Sequence, residues 1–135
     1  MERAAILAAL TSYFAGRADV FAAYLFGSVA RDEAKASSDV DVAVLLRAGR
    51  PATLEAFDPV FEIQDDLGRI LGREIDLVVM NGAPLDLLHR ILRDGVLLLD
   101  REPIRRMEFE LQARTEYFDF LPLLLRYRKM VLESA

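Results

Sequence analysis

The chain of 135 residues has no cysteine and no tryptophan, and it has a single histidine, His89. Without cysteine it can form no disulfide framework, offer no thiol nucleophile and build no cysteine-ligated zinc module. One histidine excludes every site that needs two imidazole groups, so we interpret His89 as a packing or surface residue. No apolar run approaches the roughly 20 residues that cross a bilayer, so we expect no membrane contact.

Positively charged side chains are also fewer than negatively charged ones. The chain has 17 Lys and Arg against 22 Asp and Glu, which gives a formal net charge of −5 at pH 7. That balance does not support direct binding to nucleic acid, whose affinity comes largely from neutralised phosphates. Hydrophobic residues make up 53% of the chain, which excludes a mainly disordered state. Glu2 precedes an apolar stretch with helical spacing, so we expect an amphipathic first helix and a cytoplasmic protein instead of a signal peptide.

Apolar patterning predicts helices that alternate with strands, which is typical of an α/β (α+β) fold in two or three layers. The predicted strands are residues 20–26, 40–46, 74–80 and 96–99. The predicted helices are residues 3–15, 29–36, 59–71 and 84–93, with Asp58 as an N-cap and Ser37-Ser38 as a turn. A long helical segment begins at Pro103 and reaches the C-terminus, and Pro122 is predicted to kink or divide it.

Three aspartates lie in or beside predicted strands. Asp39 and Asp41 are two residues apart, a spacing that puts both side chains on one face of a strand, roughly 6–7 Å apart. Parallel carboxylates repel unless a cation lies between them, and a hard divalent cation is the usual one. If the strand that carries Asp76 lies next, Asp76 joins them around one or two ions. Singly, Asp-x-Asp is often a solvated strand edge and Asp76 could cap a neighbouring element, but the joint spacing favours a metal site.

A Gly27-Ser28 pair ends the first predicted strand. Glycine lets a backbone approach a phosphate closely, and the Ser28 hydroxyl can donate to it. A short helix after the pair would point its amide groups at an anion, and Arg31 and Lys35 would add positive charge. A Gly-Ser pair alone is a common turn, so the interpretation as a phosphate site depends on the nearby aspartates.

The stretch resembles a known family. Gly27-Ser28, ten intervening residues and then Asp39-x-Asp41 resemble the Gly-Ser-x10-Asp-x-Asp signature of the minimal nucleotidyltransferases, members of the DNA polymerase β-like superfamily. Residues 27–31 are similar to the Gly-Ser-x-Ala-Arg form of the motif, and Asp32 stands where glycine is often found. Residues 75–78 resemble the strand that carries the third metal-binding aspartate.

The resemblance implies a mixed sheet flanked by helices in a nucleotidyltransferase domain of residues 1–100, with a helical extension of residues 101–135. It implies ATP as donor and release of pyrophosphate. The implied Mg²⁺ ligands, which are also the catalytic residues, are Asp39, Asp41 and Asp76. The implied nucleotide contacts are Gly27, Ser28 and Arg31.

The superfamily modifies RNA ends, small molecules and proteins, so the fold does not identify the acceptor. A short acidic chain is unsuited to RNA ends. The apolar residues of 104–135 either pack over the core or form a surface for a partner or a dimer. Length, motif and tail together resemble the antitoxins of nucleotidyltransferase–HEPN toxin–antitoxin pairs.

That resemblance implies transfer of AMP to a tyrosine hydroxyl of a cognate HEPN ribonuclease toxin, which would form a hetero-oligomer with this chain. Two alternatives remain open. One is a non-catalytic antitoxin that binds and masks the toxin, and the other is a small-molecule nucleotidyltransferase of the aminoglycoside-modifying kind.

Overall fold

A computed structural model describes residues 2–35 and 38–134 of the chain. Its strands are β1 (Val20–Phe26), β2 (Val40–Leu46), β3 (Ile75–Val79) and β4 (Val96–Asp100). Its helices are α1 (Arg3–Ala15), α2 (Gly27–Ala30), α3 (Asp58–Leu71), α4 (Leu85–Asp94) and α5 (Pro103–Ser134), with a 3-10 turn at Glu55–Phe57. The described strands form one mixed sheet in the order β3-β2-β1-β4. This confirms the predicted mixed sheet with flanking helices and a C-terminal helix.

The two central strands are β1 and β2, which pair antiparallel. Every residue of β1 is buried, and in β2 only Asp41 is not. Strands covered on both faces need apolar side chains in both directions, which explains their Val, Ala, Leu and Phe content. β2 also pairs parallel with β3, and this parallel pair sets the side-chain register of the site.

Helices cover both faces of the sheet. On one face α1 and α3 bury side chains that include Leu10, Phe14 and Leu67. On the other face α4 and the first half of α5 bury Leu88, Ile91 and Ala113 against β1 and β2. Each large buried side chain contributes roughly 1.5–3 kcal/mol, so both layers are firmly held to the sheet. The second face is the one that carries the candidate site.

Two local predictions differ from the structure, and a third is not tested. The short helix expected at residues 29–36 is instead α2, which already begins at Gly27, and no helix continues over residues 31–35. Of the predicted Ser37-Ser38 turn, Ser37 lies outside the described residues, as does Ala36 at the end of the predicted helix. Asp58 is the first residue of α3 and not its N-cap, because Phe57 already has helical backbone angles.

Helix α5 runs unbroken past Pro122, so the predicted division there is wrong. A proline removes one backbone hydrogen bond, and the helical turns on both sides continue regardless. The first half of α5 is held to the sheet by the Tyr24 hydroxyl, which donates to Glu110 Oε1 at 2.7 Å. The rings of His89 and Tyr117 stack 3.9 Å apart between α4 and α5, which gives His89 a packing role.

The outer face of α5 is apolar and exposed along its length. Residues at seven-residue intervals are each 54–78% exposed: Ile104, Leu111, Phe118, Leu125 and Leu132. Seven-residue spacing returns side chains to nearly the same helix face, a pattern used for packing one helix on another. Within the described residues, no helix is both long and apolar enough to span a membrane.

Candidate active site

Asp41 and Asp76 lie directly opposite each other on the parallel strands β2 and β3. Neighbouring strands are about 4.8 Å apart, and paired residues in a parallel ladder project from the same face. Asp41 is partly buried and Asp76, on the edge strand, is exposed. The structure therefore brings these two predicted site residues together, with Asp76 on the solvent side.

The environment of Asp41 disfavours its charge. Burial, and next the negative charge of Asp76, raise the pKa of Asp41 to about 6. The positive charge of Arg31 offsets only part of this effect, so the two carboxylates still repel each other in a partly desolvated position. A cation between them would relieve this repulsion.

The turn at Gly27 lies against the same carboxylate. Phe26, the last residue of β1, pairs with Asp41, so the chain turns directly beside it. Gly27 has φ +72°, and a Cβ built on it would lie 2.0 Å from Asp41 Oδ2. Glycine is required here for two reasons, the left-handed backbone and the space that the carboxylate occupies.

Ser28 follows in α2 and is partly buried. The turn that carries it is fixed by backbone hydrogen bonds, in which Arg31 N donates to Gly27 O and Glu33 N donates to Ser28 O. The Arg3 guanidinium adds hydrogen bonds to carbonyl oxygens at the end of α2, including Ala30 O at 3.1 Å. Ser28 is thus held on a well-connected turn beside Asp41.

These residues open onto a cavity of about 570 Å³. Gly27, Ser28, Asp41 and Asp76 line one side of it, and Val78 extends the same wall along β3. The opposite wall is helix α4. A mixed wall of carboxylates, turn backbone and hydroxyl can hold a metal ion together with a phosphate chain.

Arg31, a predicted nucleotide contact, also lines this cavity. Its guanidinium forms ion pairs with Glu33 at 3.1 Å and with Asp94 of α4 at 3.5 Å. Lys35, which the sequence suggested as a second cation, lines a different cavity beside α1. Arg31 therefore lines the site while its guanidinium is paired with Asp94 of α4.

Three charged residues of α4 that line the cavity are absent from the sequence prediction: Arg90, Arg93 and Asp94. Leu87, Arg90 and Asp94 follow the spacing of one helix face, and this periodicity was the available signal. It could not show that this face turns toward Asp41, because the placement of α4 depends on its buried contacts with β1.

Asp39 does not line the cavity with the pair, but its negative charge is a further, smaller cause of the raised pKa of Asp41. Asp39 precedes β2 and is exposed. Among the residues that the structure describes, no group of three or more Asp, Glu, His or Cys side chains is arranged around a common metal position. The role of Asp39 as a third metal ligand stays a prediction from the motif.

The donor set nevertheless fits a hard divalent cation. Carboxylate oxygens are the ligands that Mg²⁺ selects, and Mg²⁺ usually keeps several waters instead of filling its shell with protein groups. Asp41 and Asp76 offer two carboxylates of this kind side by side, and burial together with the negative charge of Asp76 raises the pKa of Asp41.

A mixed sheet with aspartates on adjacent strands, beside a glycine-serine turn at the end of β1, is the arrangement that the sequence resemblance implies for a nucleotidyltransferase. The family model described as Polymerase beta, Nucleotidyltransferase matches residues 8–104. The chain belongs to this family.

Individual relatives agree with this membership. The candidate protein adenylyltransferase MJ0435 of Methanocaldococcus jannaschii is 32% identical over 75 residues, which cover 56% of this chain and 70% of the relative. A chain of a toxin–antitoxin crystal structure with AMP-PNP superposes with a TM-score of 0.68 at 21% identity, covering 99% of this chain and 98% of the other.

A second solved complex contains a tri-AMPylated HEPN toxin of Shewanella oneidensis and its MNT antitoxin. A chain of that complex superposes with a TM-score of 0.65 at 19% identity, covering 95% of this chain and 97% of the other. At such identities the two structural matches establish the fold.

Proposed function

We propose that this nucleotidyltransferase is an antitoxin that transfers AMP from ATP to a tyrosine hydroxyl of a cognate HEPN ribonuclease toxin and so neutralises it. The observation that carries the proposal is the Asp41–Asp76 pair beside the Gly27 turn. The relative from Methanocaldococcus jannaschii supports protein adenylylation, and the likeness to chains of toxin–antitoxin complexes supports the partner class.

The aspartates would hold one or two Mg²⁺ ions. Asp41 and Asp76 would ligate the metal directly from facing positions on β2 and β3, and Asp39, exposed just before β2, would complete the predicted set. When bound, Mg²⁺ supplies positive charge that stabilises the phosphate oxygens as charge builds up on them. Because ATP is the donor, we assign the reaction to the cytoplasm.

The turn residues would bind the nucleotide. Gly27 lets the phosphate chain approach the backbone, Ser28 donates its hydroxyl, and Arg31 contributes charge from the cavity wall. These contacts would orient the nucleotide in the cavity, so that the acceptor and donor meet in one orientation.

The transfer exchanges one phosphorus–oxygen bond for another and moves one proton. The acceptor oxygen attacks the α-phosphorus of ATP, the bond from that phosphorus to the bridging oxygen breaks, and pyrophosphate leaves. The proton of the acceptor hydroxyl passes to Asp76, which the exposed edge strand leaves open to an incoming protein. The product tyrosine carries an anionic, bulky AMP group that would hinder RNA binding.

The partner surface that we assign is the exposed stripe of α5, which we define as Ile104, Leu111, Phe118, Leu125 and Leu132. Residues 1–100 then perform the chemistry, and residues 101–135 form an extension that contacts both the core and the toxin. The same stripe favours the second candidate function, in which this chain neutralises the toxin by masking alone.

Neutralisation of toxicity separates these two functions. Cells that express the cognate toxin with the wild-type chain should grow, and cells that express it with Asp41→Asn should not, because the variant lacks a metal ligand. Asp65→Asn, the same change on an exposed residue of α3, is the matched control and should allow growth. Growth with Asp41→Asn at an equal protein level would favour masking and overturn the catalytic proposal.

A further inference from the structure

Helix α4 presents one arginine, Arg90, to the cavity from a face of mixed charge. Leu87, Arg90 and Asp94 lie three and four residues apart, which puts them on one side of the helix, and all three line the cavity. Leu88 and Ile91 lie roughly a quarter turn further round the helix and point into the core, where Ile91 is fully buried. These anchors fix the rotation of α4, so Arg90 faces the cavity because of the fold.

Near the C-terminal end of α4 one carboxylate pairs with two of the cavity arginines. Arg93 donates to Asp94 through Nε at 3.0 Å and Nη2 at 2.9 Å. Arg31 Nη1 donates to the same Asp94 from the turn side at 3.5 Å. The hydrogen bond from Arg93, with Arg31 nearby, keeps the pKa of Asp94 below its usual value, so both guanidinium groups have a charged partner.

Arg90 differs from these two arginines. Within residues 2–35 and 38–134 its side chain forms no ion pair and no hydrogen bond, whereas Arg31 and Arg93 each do. It lies one helical turn before Asp94, roughly 6 Å along the axis, between that cluster and the apolar end of the cavity. Arg90 is thus a free guanidinium on the wall opposite Asp41 and Asp76.

We propose that Arg90 binds the polyphosphate of the nucleotide beyond its α-phosphate, from the side of the cavity opposite the aspartates. The proposal rests on the proposed function and adds a binding residue to it. A metal ion between Asp41 and Asp76 leaves several phosphate charges unmatched, and a guanidinium can donate two parallel hydrogen bonds to phosphate oxygens. Arg90 also counters the charge that accumulates on pyrophosphate as it leaves.

Direct binding tests this assignment without any acceptor protein. The probes are α,β-methylene ATP, whose bridging carbon prevents AMP transfer, and AMP, each titrated calorimetrically in the presence of Mg²⁺. Arg90→Gln should weaken binding of the ATP analogue about tenfold or more and leave AMP binding within about twofold. Arg90→Lys keeps the charge but loses the planar fork, so its affinity should lie between those of wild type and Arg90→Gln.

The control is Arg69→Gln, which removes an exposed arginine of α3 on the opposite face of the sheet and should bind both probes like wild type. Salt adds a second readout, because loss of a phosphate contact should flatten the dependence of analogue binding on KCl concentration. Equal affinities and salt slopes for Arg90→Gln and Arg69→Gln would overturn the inference, as would equal losses for the analogue and for AMP. Failure of the wild type to bind the analogue would overturn the proposed function itself.

Discussion

The α-carbon of Gly27 lies against the carboxylate of Asp41, so that a Cβ at residue 27 would meet Asp41 Oδ2 at 2.0 Å and Cγ at 2.9 Å. The turn that we assign to the phosphates and the carboxylate that we assign to the metal therefore touch each other. A side chain at residue 27 would take the space of the carboxylate, and this contact explains why a glycine goes with an aspartate fourteen positions later in the chain.

Gly27→Ala should remove activity with a modest loss of stability. The new methyl group must displace Asp41, so AMP transfer should fall about 100-fold or more, by analogy with other displaced catalytic groups. The left-handed backbone adds a strain of roughly 1–3 kcal/mol. Transfer from labelled ATP and the thermal midpoint measure the two effects.

Gly49→Ala separates strain from displacement. Gly49 has φ +80° and no heavy atom within 4 Å of a built Cβ, so this variant suffers a similar strain without a clash. It should lose stability but keep activity. Equal activities of the two variants would show that the contact between Gly27 and Asp41 has no part in catalysis.

Asp41→Asn should stabilise the metal-free protein at neutral pH. Because the pKa of Asp41 is raised to about 6 from 3.8, the fold favours its protonated form, and ionisation lowers the free energy of unfolding as pH rises from about 4 to 6. The asparagine variant escapes this loss, about 1 kcal/mol once solvent screening is allowed for. Urea unfolding at pH 7 and pH 4 should show the gain at pH 7 alone, and a gain of the same size at both values would contradict the electrostatic cause.

Mg²⁺ should raise the stability of the wild type, whereas ionisation of Asp41 without the metal lowers it. A cation bound by Asp41 and Asp76 removes their repulsion, so millimolar Mg²⁺ should raise the thermal midpoint of the wild type, and a chelator should reverse this. Asp41→Asn should respond little. An equal Mg²⁺ response in Asp41→Asn and wild type would place the bound ion elsewhere.

Tyr24→Phe should loosen α5. The Tyr24 hydroxyl is buried and donates to the Glu110 carboxylate, and hydrogen bonds to charged groups contribute roughly 1.5–3 kcal/mol. The variant should unfold at lower urea, whereas Tyr127→Phe, at a residue that is 65% exposed, should not change. If both variants keep wild-type stability, this hydrogen bond does not anchor the helix.

Leu125→Asp tests the α5 stripe as a partner surface. The change puts a charge in the middle of an apolar helix face, so affinity for the cognate toxin should fall about tenfold or more while nucleotide binding stays unchanged. Tyr127→Asp is the control, because residue 127 lies on the other side of the helix. Equal losses in both variants would show that the end of α5, and not the stripe, is the contact.

The sequence was most informative where one local rule applies. The apolar residues of 20–26 predict a central strand and Gly27-Ser28 predicts the turn, and the structure has both. The sequence predicts the pairing of Asp41 with Asp76 only if their strands are neighbours, and nothing local shows which strands are neighbours. In the structure they are, because β3 lies parallel to β2 and next to it.

The place of Asp39 and the arginines of the cavity could not be predicted from the sequence, for physical reasons. Alternation puts Asp39 on the face of Asp41, but the strand begins only at Val40, so Asp39 is not held by the ladder. The cavity arginines belong to α4, whose rotation is set by the burial of Leu88 and Ile91. Helix propensity gives α4 its spacing, and only tertiary packing chooses which side of it faces Asp41.

The most direct test of the central claim is transfer of label from α-phosphate-labelled ATP to protein. Purified wild type, Asp41→Asn and Asp65→Asn would each be added with Mg²⁺ to a lysate of the source organism, and the products separated by gel. We predict label on a discrete protein band with wild type and Asp65→Asn, and none with Asp41→Asn. Label that appears only on RNA or small molecules, or no label beside a tightly bound partner, would contradict protein adenylylation by this chain.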